Sequence, residues 1–185
     1  MLVVGLGNPE KKYARNRHNV GFMCVDALAS DLGAPEWRDK WKGRTTKAGD
    51  VTLLEPMTFM NLSGESVQPA AAFLKAAPTD ILVVHDELDL PFGDVRLKMG
   101  GGHAGHNGLR SIIECLGSPD FARLRVGIGR PPAGFRGDVA DWVLSNFDPV
   151  ETAELPDVLD RGKAAIRRVL KDGIVPAMNV TNTRK

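Results

Sequence analysis

The sequence predicts an α/β domain, a twisted, mixed and mostly parallel sheet flanked by helices. Three observations carry this prediction. Short apolar runs of strand length alternate along the chain with segments whose apolar residues recur at helical spacing. Two of the runs, residues 2–6 and 81–84, are apolar throughout, as strands are when both faces are covered. The 20 Gly and 12 Pro are mostly spread along the chain as turn punctuation rather than gathered in one tract.

Leu2-Val3-Val4-Gly5-Leu6 reads as a buried strand, stopped by Gly7-Asn8-Pro9. Val20, Cys24, Val25, Leu28 and Leu32 share a helical face, and Gly33 follows as a stop. Residues 36–50 are polar apart from Trp37 and Trp41 and predict an irregular or edge region. Val51 to Leu54 is a strand closed by Pro56. Residues 63–77 predict a helix with Val67, Ala70, Ala71 and Leu74 on one face, and Pro69 near its first turn, where proline is tolerated. Ile81 to Val84 is the central strand. Residues 94–99 alternate, as a half-buried strand does. Leu109, Ile112, Ile113 and Leu116 mark a helix ending at Gly117, and Leu124 to Ile128 a further strand. Residues 149–172 predict one or two amphipathic helices, with a mobile tail from about 176.

With 185 residues and about 150 residues per domain as the usual scale, the expectation is one domain over 1–185. No window of 18 apolar residues occurs, which excludes a spanning helix. No basic residue precedes Lys11, so the start does not read as a signal peptide. Cys24 and Cys115, the only cysteines, sit in apolar helical patterns and predict core thiols in a reducing cytoplasm. The net charge of +1 conceals segregation. Residues 96–136 carry seven basic side chains against Glu114 and Asp120, residues 137–160 seven acids and no base, and residues 161–185 seven bases against Asp172. Solvated faces explain such clusters most simply, although a basic cluster on a neutral chain can steer a polyanion.

Several familiar motifs fail. Gly5-Leu6-Gly7 starts like a dinucleotide loop, but position 10 is Glu10 and Pro9 removes an amide donor. The glycine run 100–108 lacks the Gly-Lys-Ser/Thr of a phosphate loop. There is neither a Gly-x-Ser-x-Gly elbow nor His-Glu-x-x-His. Four clusters rich in Asn and His remain: Gly7-Asn8-Pro9, Tyr13 to Gly21, Thr58 to Gly64, and His85 to Pro91 taken with Gly100 to Gly108. Singly, each has a plain structural explanation as a turn, cap or helix entry. Together they suggest hydrolysis without a serine or cysteine nucleophile. Neutral His can take a proton from water near pH 7, Asp can hold its tautomer, and Asn amides can hold a carbonyl or a developing oxyanion without adding charge. A metal site on His85, Asp86, His103 and His106 is the chief rival. It ranks lower because His103-x-x-His106 lies in a glycine run rather than on a rigid helix.

At these residues the chain resembles the bacterial-type peptidyl-tRNA hydrolases. The likeness runs from Leu2 to about Gly173 and rests on five motifs in order: Gly5 to Pro9, Arg17-His18-Asn19, Phe59 to Gly64, His85 to Pro91, and Gly100 to Leu109. The resemblance implies a monomeric cytoplasmic esterase that cleaves N-blocked peptidyl-tRNA without metal or organic cofactor. It implies His18 as general base, Asp86 as its orienting partner, and Asn8 as the group that tells blocked from unblocked substrate. Asn61 and Asn107 would hold the substrate and help place the water. Tyr13 and Phe59 would line the site for the tRNA 3′ end, while Lys98 and Arg125 would hold the 5′ phosphate and acceptor stem. Arg125 lies in a predicted strand, where a purely structural role competes. The segment near 109–116 and the helices after 149 would rim the groove. The non-enzymatic alternative is an RNA- or ribosome-binding module with Tyr13, Trp37 and Trp41 near basic residues, and an ester-hydrolysis assay separates the two.

Overall fold

The structure, a computed structural model, describes residues 1–183. Seven strands form one sheet: β1 (Leu2–Gly5), β2 (Arg38–Lys40), β3 (Gly43–Ala48), β4 (Val51–Pro56), β5 (Ile81–Glu87), β6 (Val95–Met99) and β7 (Ala122–Gly127), in the order β2-β3-β4-β1-β5-β7-β6. The inner four, β4, β1, β5 and β7, are parallel, whereas β3, β2 and β6 join antiparallel at the two margins. Mixed sheets with antiparallel edges on a parallel centre are common in folds of this kind.

The helices are α1 (Val20–Asp31), α2 (Gly64–Leu74), α3 (Asn107–Leu116), α4 (Val139–Val143), α5 (Pro149–Asp172) and α6 (Ile174–Thr181). Alternation along the strands divides the core in two. Val3, Leu53, Leu82, Val84 and Leu124 face a layer built with α1, α5 and α6. Leu2, Val4, Leu54, Ile81 and Val83 face α2 and α3. Because β1 and the first four residues of β5 are buried on both faces, they read as unbroken apolar runs.

The structure departs from the sequence expectations in five places. Residues 36–50 contain a regular edge hairpin, β2–β3, turned through Trp41 and Lys42 with φ of 54° and 50°. These left-handed positions normally go to Asn or Gly, so the turn carried no sequence signal. The second helix ends at Leu74, with Lys75 left-handed at φ 51°, three residues short of 77. Pro69 is its sixth residue, in the second turn rather than the first. Cys24 is buried, and burial pushes its thiol up to about 12, but Cys115 is exposed and is no core residue. From 176 onward, where the sequence suggests a mobile tail, the chain continues in α6, and Ala177 is fully buried. Asn182 then lies along β6: the Leu97 amide donates to its Oδ1 and its Nδ2 donates to the Leu97 carbonyl, both at 2.8 Å. Residues 184 and 185 of the expected tail lie outside the described residues. Residues 149–172 form a single helix that continues through Pro156.

Candidate active site

Two glycines set the site at the carboxyl ends of β1 and β5. A Cβ on Gly5 would lie 2.6 Å from the Gly21 carbonyl oxygen, and one on Gly21 would lie 2.4 Å from the Val84 carbonyl oxygen. No side chain fits at either position, so the start of α1 sits directly on the strand ends. The turn just before it, Arg17–Asn19, is buried throughout. Asn19 then locks the loop after β1: its Oδ1 accepts from the Asn8 amide and its Nδ2 donates to the Asn8 carbonyl, each at 2.9 Å. The Met60 amide donates to Asn8 Oδ1 at 2.9 Å. That bond identifies the oxygen of the Asn8 side chain and leaves its NH₂ as the free end.

His18 and Asp86 meet across 68 residues of sequence. His18 Nδ1 lies 2.9 Å from both Asp86 oxygens, and Asp86 Oδ1 is also 2.9 Å from His106 Nε2. His106 caps α3, and its Nδ1 accepts from the amides of Gly108 and Leu109 at 3.1 and 3.3 Å. An accepting Nδ1 places the ring proton of neutral His106 on Nε2, donating to Asp86. His18 likewise donates from Nδ1, which leaves Nε2 as its basic atom. His85 Nδ1 bonds the Asp86 carbonyl at 2.7 Å, and the His85 ring stands edge-on to His106 with centroids 5.0 Å apart.

Charge follows geometry. Burial opposes protonation of His18, but the charge and hydrogen bond of Asp86 outweigh it, and the His18 pKa rises above its ordinary value. Burial would lift the Asp86 pKa, yet two histidines hold it far below the carboxylate range. His85 is pushed down to about 3, first by burial and then by His106, so it stays neutral.

These groups open on a cavity of about 680 Å³. Asn8, His18, Phe59, Asn61, Asp86, Asn107, Lys98 and Arg125 all line it, so eight of the nine site residues expected from the sequence come together. Tyr13 does not line it; it is half-exposed in a turn with Lys12 Nζ 4.8 Å from its ring centroid. Asn61 is exposed at the lip, and Asn107 opens α3 with its Oδ1 accepting from Arg110 at 2.9 Å. On the β6–β7 side, Lys98 pairs in register with Arg123. Arg125 Nε donates to Glu87 at 2.9 Å, a contact that holds its side chain at the cavity wall. Arg123 donates to the carbonyls of Gly101 and Gly102 and so anchors the glycine loop that carries His106 and Asn107.

From sequence, His106 belongs to the glycine-rich cluster and to the rival metal set, and Arg123 only to the basic cluster; neither the bond of His106 to Asp86 nor the anchoring by Arg123 is expected there. Since His is not a preferred capping residue, the cap it forms on α3 has no sequence signal. His103 does not join the cluster, but donor atoms of His18, Asp86 and His106 lie within 4.8 Å of one another. The two histidine nitrogens nearest Asp86 each direct a proton at it, so a cation there would have to replace both hydrogen bonds. The donor set is therefore satisfied internally and fits a proton-transfer site better than a metal centre.

A buried His–Asp pair at the carboxyl ends of parallel strands is the arrangement of a base with its orienting carboxylate, as hydrolases on open α/β sheets carry. Residues 2–185 match the family model for peptidyl-tRNA hydrolase. The chain is 61% identical to the peptidyl-tRNA hydrolase of Sorangium cellulosum, over all of this chain and 84% of that protein. It is 50% identical to that of Geobacter sp. strain M21, over 99% of this chain and 98% of the other. Among solved structures, peptidyl-tRNA hydrolase from Acinetobacter baumannii superposes with a TM-score of 0.90 at 41% identity, covering 100% of this chain and 95% of that one. The chain belongs to the peptidyl-tRNA hydrolase family.

Proposed function

We propose that this protein hydrolyses the ester bond of N-blocked peptidyl-tRNA, releasing peptide and free tRNA. The observation that carries the mechanism is the His18–Asp86 pair at the wall of the cavity. His18 Nε2 takes a proton from water as the oxygen attacks the ester carbonyl. The tetrahedral intermediate then expels the terminal ribose oxygen, which receives that proton back from the imidazolium. Asp86 keeps Nδ1 protonated and stabilises the transient charge. An aminoacyl ester is already activated, so a base and an oxyanion site suffice without a covalent intermediate. Asn61 and Asn107 hold the substrate and help place the water, and Phe59 packs against the 3′ end. Tyr13 serves that end only from outside the cavity. Lys98 and Arg125 meet the 5′ phosphate and acceptor stem, where phosphate contacts supply affinity without sequence readout. The reaction uses no metal or organic cofactor, and the enzyme acts as a cytoplasmic monomer. The pure protein is expected to release acetyl-amino acid from N-acetyl-aminoacyl-tRNA at the same rate before and after exhaustive chelation. No release overturns the hydrolase reading, and loss on chelation restored by zinc overturns the metal-free mechanism.

Asn8 accounts for substrate choice. With its Oδ1 engaged by Met60, it offers only N–H donors to the cavity. A donor suits the carbonyl of an N-acyl group. It does not suit the ammonium of free aminoacyl-tRNA, which would lose water with no anion to meet it. Asn8→Asp keeps the acceptor for Met60 and turns a carboxylate oxygen towards that ammonium. The ratio of kcat/KM for N-acetylated over free aminoacyl-tRNA is expected to fall at least about tenfold, or ~1.4 kcal/mol. An unchanged ratio would mean that Asn8 is only a turn residue.

On the basic side, Lys98→Ala is expected to weaken binding of full-length tRNA and to lower the slope of log K against log salt by about 1. A short 3′-end substrate should be little affected. Equal losses on both substrates would assign Lys98 to the fold or the chemistry instead.

A further inference from the structure

Arg17 precedes the proposed base by one residue and is 3% exposed. Its guanidinium lies 3.8 Å from the Trp142 ring centroid and 5.4 Å from that of Phe147. It donates to Ser145 Oγ at 2.8 Å, to the Asn146 carbonyl and to the Glu151 carboxylate. The backbone reinforces this contact. The Arg17 amide donates to the Ser145 carbonyl at 3.0 Å, and Asn16 forms a bridge with Asn146. All of these partners lie on α4, on the link that follows it, or in the first turn of α5.

α4 is one wall of the cavity, through Val139, Val143 and Leu144. Trp142 points the other way, sandwiches Arg17 and donates its indole N–H to the Gly129 carbonyl at 2.9 Å. The turn that carries His18 is therefore clamped on both flanks. Asn19 fastens it to the loop of Asn8, and Arg17 fastens it to the wall formed by α4. The Arg17 clamp demands a planar cation that can stack between rings and give several hydrogen bonds at fixed angles, which Arg does and Lys does not. A buried ion pair is weak evidence for stability as such, and here its geometry is spent on joining two walls of one cavity.

We propose that Arg17 is a positioning residue for hydrolysis, making His18 and α4 one rigid unit so that a substrate seated against α4 meets Nε2 in place. The proposal rests on the hydrolase reading above. Arg17→Lys keeps the charge beside Glu151 and loses the fork and the stacking. It is expected to retain a cooperative melt while kcat on N-acetyl-aminoacyl-tRNA falls about 10- to 100-fold and KM changes less than threefold. The acid limb of the pH profile should also move to lower pH, because a loosened His18 gains less from Asp86. Free guanidinium should partly restore kcat in Arg17→Ala. If Arg17→Lys does not fold, Glu151→Gln, which weakens the same clamp, is read in its place. A folded variant with unchanged kcat and unchanged acid limb overturns the proposal, as does a kcat loss with no shift of the limb and no guanidinium rescue. An inactive wild type instead overturns the hydrolase reading itself.

Discussion

Replacing His18 with alanine is expected to lower kcat/KM on N-acetyl-aminoacyl-tRNA by about 10³–10⁴-fold, the upper range for loss of a general base, with tRNA affinity within about twofold of wild type. The ring is largely buried and its Nδ1 is committed to Asp86, so only Nε2 is left for the cavity, where its proposed task is to move a proton rather than to anchor RNA. The proposed substrate contacts of Asn8, Asn61 and Asn107 are untouched by the change, and a residual rate above that in water should persist. Two measurements decide the matter: single-turnover hydrolysis, and tRNA binding by titration. Near-wild-type turnover would end the mechanism, and a parallel collapse of affinity would recast His18 as a binding residue.

Asp86→Asn is expected to cost about 10²–10³-fold in kcat, and its pH profile is as informative as its rate. Two histidine protons converge on the carboxylate, and His106 cannot change tautomer because its Nδ1 accepts from two backbone amides. An amide at 86 offers one oxygen to these two donors. With the oxygen at the Oδ1 position it faces both His106 Nε2 and His18 Nδ1, but the NH₂ lies equally close to His18 Nδ1 and competes for it, so the tautomer with the ring proton on Nε2, which is no base, gains population. The fraction that keeps the proton on Nδ1 remains competent, so the loss is expected to be smaller than for His18→Ala. On the proposed mechanism His18 of the wild type acts as the neutral ring and its pKa is raised, so activity is expected to fall as pH drops through a midpoint above the ordinary value of about 6.5. Removing the anion leaves burial to dominate, and the midpoint should move below that value. A profile that stays in place would show that Asp86 does not set the basicity of His18.

Much of the fold was legible because burial writes itself into pattern. β1 and the first four residues of β5 lie between two helical layers and are apolar throughout, and the stripe of α3 ends at Gly117, which adopts a left-handed φ of 68°. The β2–β3 hairpin was not legible, since its turn uses Trp41 and Lys42 where the backbone prefers Asn and Gly. α6 was hidden for another reason: it is short, and Ile174, Ala177 and Met178, its core-facing residues, span little more than one turn, with Ala177 alone buried. The chemistry was half legible. Asn8 and Asp86 stood out as polar residues placed after apolar strands, and His18 as a helix-entry residue in a cluster rich in Asn and His. The role of His106 depends on α3 folding back to within 2.9 Å of Asp86, and that of Arg17 on residues nearly 130 positions away. Long-range partners of this kind have no local trace.

An open sheet has two rims, and each exposes unspent backbone donors and acceptors that invite another chain. At β2 the rim is three residues long, all exposed, with Arg38, Asp39 and Lys40 crowding it with charge. At β6 the arrangement differs: the carboxamide of Asn182 takes both the amide and the carbonyl of Leu97, as a neighbouring strand would. One side chain beyond the last helix thus stands in for an eighth strand. Asn182 thereby occupies, at the middle of β6, a donor and an acceptor that would otherwise be open to another strand.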